Sequence, residues 1–118
     1  MLVIDDDAII RETLATALGD EGYSVRTAQD GRAGLETLAS WSPDVIVLDL
    51  MMPVMDGHAF LAAKAALENA ARIPVIILSA AHQIRTQAAA LNAAAVFPKP
   101  FDLGALLDTV ERLAARAA

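Results

Sequence analysis

The stretch Val45-Ile46-Val47-Leu48-Asp49-Leu50-Met51-Met52-Pro53-Val54-Met55-Asp56-Gly57 decides how the chain is read. Apolar residues from Val45 to Leu48 run straight into one carboxylate. A proline-containing loop ending in Gly57 follows, and a helical pattern starts beyond it. A run this apolar reads as a strand buried on both faces, the habit of parallel sheets. An aspartate ending such a strand lies at the carboxyl edge of the sheet, where open α/β folds place their chemistry. The plainer alternative is that Asp49 only caps a strand or turn. The flanking sequence has to separate the two.

Upstream, Leu2-Val3-Ile4 is a short strand stopped by Asp5-Asp6-Asp7. Ile10, Leu14, Ala17 and Leu18 then follow helical spacing from Ala8 to about Asp20, with Asp7 as N-cap and Gly22 as the stop. Tyr23 to Ala28 alternates like a strand near a sheet edge, Asp30-Gly31 marks a turn, and Arg32 to Trp41 carries a helical stripe. Downstream, a helix is expected from about His58 to Ala71. Pro74 then opens a strand, Val75 to Leu78, which Ser79 ends. An alanine-rich helix over Gln83 to Leu91 is expected to stop at Asn92. Ala94 to Phe97 forms a fifth strand, broken by Pro98-Lys99-Pro100, and a last helix starts at Asp102 with an apolar face from Leu103 to Leu113. Strands alternating with helices in this way predict one doubly wound α/β domain over residues 1–118, with a parallel sheet covered on both faces.

The composition excludes several classes of function. The absence of cysteine removes disulfides, thiolate catalysis and sulfur-ligated metals. A net charge of −6, with no run among the nine basic residues, argues against direct nucleic-acid binding. A mean hydropathy of +0.46 is high for a soluble chain, but much of it comes from alanine in helical patterns. No apolar run is long enough to span a bilayer and no secretory signal opens the chain, so a soluble, cytoplasmic protein without a membrane partner is expected.

In a parallel sheet the carboxyl ends of all strands share one edge. That edge would collect Asp5, Asp6 and Asp7 from the first strand, Asp49 from the third, Ser79 from the fourth and Lys99 from the fifth. Two carboxylates about 4 Å apart repel by roughly 4 kcal/mol at an effective dielectric near 20, so the group needs a partner. Oxygen ligands without His or Cys select a hard cation, Mg2+ or alternatively Mn2+. Carboxylates, a divalent cation, a lysine and a hydroxyl together suit a phosphoryl group that a carboxylate attacks. Taken singly, Asp7 reads as a helix cap, Ser79 as a strand-end hydroxyl, Lys99 as a solvated lysine, and His58 and His82 as surface residues. Met51, Met52 and Met55 read as loop and core packing, and Trp41 as packing a helix end.

With these motifs in order and at this spacing, the chain resembles the receiver domain of bacterial two-component response regulators over essentially its whole length. The resemblance rests on Leu2 to Asp7, Val47 to Gly57, Ile76-Ile77-Leu78-Ser79-Ala80 and Pro98-Lys99-Pro100-Phe101. It implies a flavodoxin-like fold with strand order 2-1-3-4-5. Asp49 would be the phosphoacceptor, receiving its phosphoryl group from a histidine kinase or a histidine phosphotransfer protein. Asp5, Asp6 and Asp49 would hold Mg2+ together with the backbone carbonyl of Met51, and Ser79 and Lys99 would contact the phosphoryl oxygens. A cis Lys99-Pro100 peptide is implied as well, which proline's low cis penalty allows. Such a domain assists its own modification and is not an enzyme on external substrates. Its output partner or effector domain is not legible, and the chain reads as a stand-alone regulator or as a receiver cut from a longer protein.

Two departures from the family pattern bear on output. The position three residues before the lysine, usually Tyr or Phe, is Val96, and a valine cannot signal by ring rotation. The residues between Asn92 and Val96 are all alanine where many relatives carry acidic residues used in dimer salt bridges, so a monomer or weak dimer is expected. Three alternatives stand beside the switch. A flavin-binding carrier would need a phosphate loop where Asp5-Asp6-Asp7 stands, and an aspartate phosphatase would need its second acid at Met51. The third is a degenerate receiver serving as a phosphorylation-independent interaction module. By the same resemblance, Met51 and Ala81 sit where dephosphorylation is tuned, and both would position an attacking water poorly. A long-lived acyl phosphate is therefore expected, and a half-life of only seconds after removal of the phosphodonor would contradict it.

Overall fold

The computed structural model describes residues 1–50, 52, 54–80 and 93–117. Five strands, β1 (Leu2–Ile4), β2 (Arg26–Ala28), β3 (Ile46–Asp49), β4 (Val75–Ala80) and β5 (Ala95–Lys99), form one parallel sheet. Their order is β2-β1-β3-β4-β5, the doubly wound order that the resemblance implies. Four helices lie among the described residues: α1 (Ala8–Asp20), α2 (Gly31–Leu38), α3 (Gly57–Ala65) and α4 (Leu103–Ala117). The helix expected over Gln83 to Leu91, with its stop at Asn92, lies outside the described residues, as do Met51, Ala81 and His82. Among the described residues, no helix is long and apolar enough to cross a membrane.

The alternation of side chains along each strand separates two cores. Leu2, Ile4, Ile46, Leu48 and Ile77 meet Leu38 of α2 and Phe60 of α3 on one face. Val3, Val47, Ile76 and Leu78 meet Leu14 and Leu18 of α1 and Leu106 and Val110 of α4 on the other. All of these side chains are fully buried or nearly so. Full burial of each stabilises by about 1.5–3 kcal/mol, which fixes the register of the central strands.

Several element bounds differ from the sequence reading, each for a local reason. Asp30 does more than mark a turn: its carboxylate accepts from the Ala33 N–H and caps α2, which ends at Leu38 instead of Trp41. The β2 strand is limited to Arg26–Ala28, because Tyr23 is still bonded to the end of α1 through its N–H and the Leu18 carbonyl. Helix α3 stops at Ala65 rather than near Ala71, and tight turns carry the chain on to Pro74. Ser79 does not end β4 but lies within it, and β5 runs through Pro98 to Lys99. As the outermost strand, β5 tolerates that proline. The break comes at the cis Lys99-Pro100 peptide.

The loop after Asp49 is held by close backbone approach. The Gly57 N–H donates to the Leu50 carbonyl at 3.0 Å, and a Cβ on Gly57 would lie 2.7 Å from the Leu50 Cα. Only glycine lets α3 begin against the strand end that carries Asp49. Within the same loop Val54 has φ of 68° and is 80% exposed. A β-branched residue there is strained and gains little from packing. Val54→Gly is expected to stabilise the protein by about 1 kcal/mol, net of glycine's extra freedom when unfolded. Chemical denaturation measures this, and an unchanged or lowered midpoint would contradict it.

Candidate functional site

The sheet register brings the polar strand ends together. Ile4 pairs with Leu48 across β1 and β3, so Asp5 and Asp49 each follow a paired position on adjacent strands. Asp49 pairs with Leu78, which places Ser79 one residue further along β4. Ala80 pairs with Lys99 at the end of β5. Asp5, Asp49 and Ser79 are 0%, 3% and 1% exposed, burial that polar groups accept only with partners.

Those partners are specific. The Lys99 ammonium lies 3.1 Å from Asp5 Oδ2 and 3.3 Å from Asp49 Oδ2, bridging the two carboxylates. The other Asp5 oxygen, Oδ1, accepts from the Asp7 N–H at 2.9 Å. Burial acts to lower the Lys99 pKa, but the hydrogen bonds and charges of Asp5 and Asp49 prevail and raise it above the ordinary lysine value. Asp6 is exposed, yet it offers a carboxylate oxygen to the same point: one oxygen each from Asp5, Asp6 and Asp49 lies within 4.8 Å of the others.

Asp7 is excluded from that cluster by its own role. Its Oδ1 accepts from the N–H groups of Ile9 and Ile10 at 2.8 and 3.3 Å, which makes it the N-cap of α1. The run Asp5-Asp6-Asp7 thus divides into one buried acid bonded to Lys99, one exposed acid facing the cluster and one cap. His58 is exposed, and Met52 is buried in the core on the α2–α3 face. Trp41 packs partly buried against that core, with the Arg26 guanidinium 4.8 Å from its ring centre. Val96 faces the α2–α3 core and Phe97 the opposite one, so the two side chains point to different faces of β5.

Two buried or bridging cations were not evident from the motifs, Arg11 at the site and Lys64 away from it. Arg11 donates from Nη1 to the Asp5 backbone carbonyl at 2.7 Å and ties α1 to the end of β1. Its signal in the sequence is a cation one helical turn beyond the cap at Asp7. Lys64 is buried on α3, and its signal is the i, i+4 spacing from the core residue Phe60.

The donor set fits a divalent cation. Three carboxylates face one ammonium, all the ligand atoms are oxygen, and Asp6 leaves the cluster open to solvent on one side. This is the chemistry that hard cations such as Mg2+ favour, with several waters retained.

Comparison with known proteins agrees with this geometry. The family model for the response regulator receiver domain matches residues 1–111. Response regulator MprA of Mycolicibacterium vanbaalenii is 40% identical over 118 residues, covering 98% of this chain and 50% of that protein. MprA of Mycobacterium avium is 38% identical, over 98% and 51%. The chain therefore spans about half the length of the curated relatives it matches. Among solved structures, the Francisella response regulator 1452 receiver domain superposes with a TM-score of 0.88 at 31% identity, covering 99% of this chain and 97% of that one. The chemotaxis response regulator CheY4 of Vibrio cholerae superposes at 0.86 with 33% identity, covering 95% of each chain. The chain belongs to the response regulator receiver domain family.

Proposed function

We propose that this chain is a phosphorylation-dependent switch in which Asp49 accepts a phosphoryl group from a histidine kinase or histidine phosphotransfer protein of the cytoplasm. The observation that carries this reading is the Lys99 bridge between Asp5 and Asp49 at 3.1 and 3.3 Å. An ammonium held there has an acidic partner on the metal side and the acceptor on the other. In the reaction an Asp49 carboxylate oxygen attacks phosphorus, the phosphorus–nitrogen bond of phosphohistidine breaks, and the imidazole leaves with the bonding electrons. Mg2+ held by Asp5, Asp6 and Asp49, with the Met51 carbonyl, would neutralise charge on the phosphoryl oxygens. Ser79 and Lys99 are assigned to those oxygens, Ser79 as hydroxyl donor and Lys99 as cation.

Once Asp49 carries the phosphoryl group as an acyl phosphate, Lys99 exchanges a carboxylate for a phosphoryl group, and Ser79 is drawn toward the same oxygens. Both lie on the β4–β5 pair, so the change propagates along those strands to a partner-binding surface. Val96 has no ring to rotate, and its side chain stays with the α2–α3 core. Signalling in this chain therefore runs through displacement of the β4–β5 region rather than through an aromatic rotamer. The domain catalyses nothing on external substrates.

Incubation with Mg2+ and a small acyl phosphate is expected to add one phosphoryl group to the wild type, seen by intact mass, and none to Asp49→Asn or to the wild type with chelator. Equal incorporation in Asp49→Asn would overturn the assignment. Lys99→Met is expected to destabilise the metal-free protein by about 2 kcal/mol, between the values for exposed and buried ion pairs. Because the folded-state pKa of Lys99 is raised, its contribution is complete below 10.5, the ordinary lysine value, and is lost as pH rises through the higher folded value. The stability gap between wild type and Lys99→Met should thus stay constant from about pH 7 to 9. Denaturant melts at several pH values check this, and a gap that closes over that range would contradict it.

A further inference from the structure

Lys64 is a buried cation that the phosphoacceptor site does not use. It lies four residues after Phe60 on the core-facing side of α3 and is only 6% exposed. Its Nζ donates to the Ala71 carbonyl at 3.1 Å, a neutral partner for a group with three N–H donors. Burial lowers its pKa below the ordinary lysine value, with no charged neighbour among the described residues acting to restore it. Charges this deeply buried are normally paired.

The surroundings suggest what would pair it. Lys64 lines a cleft of about 640 Å3 at the amino ends of β4 and β5, the edge of the sheet opposite Asp49. Arg72 lines the same cleft and is exposed. The remaining walls include Leu61, Ile73, Pro74 and Ala93, and no Asp or Glu stands among the described residues that line the cleft. Its volume lies within the range of small-molecule sites.

We propose that this cleft binds a small organic oxyanion, a carboxylate or phosphate ester, held between Lys64 and Arg72 with its apolar part against Ile73, Pro74 and Ala93. An oxyanion there supplies a charge partner that the described residues do not give Lys64, and the planar guanidinium suits two-pronged contact with it. Binding is independent of Asp49 and of any metal.

The test is an NMR titration of the 118-residue chain with inorganic phosphate and with benzoate, in chelator and at ionic strength matched with chloride. Saturable amide shifts are expected around Leu61–Ala65 and Arg72–Val75. Lys64→Gln keeps an N–H donor for the Ala71 carbonyl while removing the charge, and it should weaken binding about tenfold or more. Arg72→Gln, at an exposed position, should do the same, and Arg32→Gln on α2 should not. Where Lys64→Gln fails to fold, Arg72→Gln carries the comparison. Shifts that grow linearly without saturating, or equal affinity in both cleft variants, would overturn the proposal and leave Lys64 only a tether for the Ala71 carbonyl.

Discussion

Three carboxylates converging on one sheet edge, against a single bridging ammonium, are the constraint on which this structure depends. Asp5 and Asp49 are almost completely buried, and Lys99 reaches both from the far strand. Charges so placed repel by several kcal/mol at an intermediate dielectric unless a cation lies between them. Lys99 supplies part of that compensation, and Asp6 keeps the cluster open for more. The site is thus held in balance by an interaction that any incoming phosphoryl group must disturb.

The fold exists in the form that permits this. Five parallel strands point their carboxyl ends the same way, and the apolar residues of β1, β3 and β4 anchor them between two helical layers. The strand order places β1 and β3 side by side at the centre, so that Asp5 and Asp49 become neighbours. Gly57 lets α3 start against Leu50, and Arg11 ties α1 to Asp5, so α1 and α3 are fastened to the strands carrying the site's acids. These contacts position Asp5 and Asp49, while Ser79 and Lys99 sit together on the β4–β5 pair.

Much of this was legible in the sequence because it is written in short, strongly patterned runs. The apolar stretch before Asp49 reads as a buried strand, and the alternation of elements points to the layer arrangement. The division of labour within Asp5-Asp6-Asp7 was only partly legible: the cap at Asp7 follows from helix chemistry, but the burial of Asp5 depends on Lys99, ninety-four positions away. Helix ends were read less well. Asp30 looked like a turn residue although it is a cap, because aspartate serves both purposes. The premature end of α3 and the burial of Lys64 escaped notice, since a lysine among alanines resembles a solvated helix face until Phe60 shows which side is inward. Arg11 was missed because its partner is a backbone carbonyl, which leaves no mark in side-chain spacing.

The divided roles of the three leading aspartates also provide the most direct measurement. Calorimetric titration with Mg2+ compares the wild type with Asp6→Asn and Asp7→Asn, the latter preserving a good helix cap. If Asp5, Asp6 and Asp49 form the cation site, Asp6→Asn weakens binding about tenfold or more and Asp7→Asn leaves it nearly unchanged. Equal loss in the two variants, or none in Asp6→Asn, would contradict the placement of the metal at the carboxylate cluster.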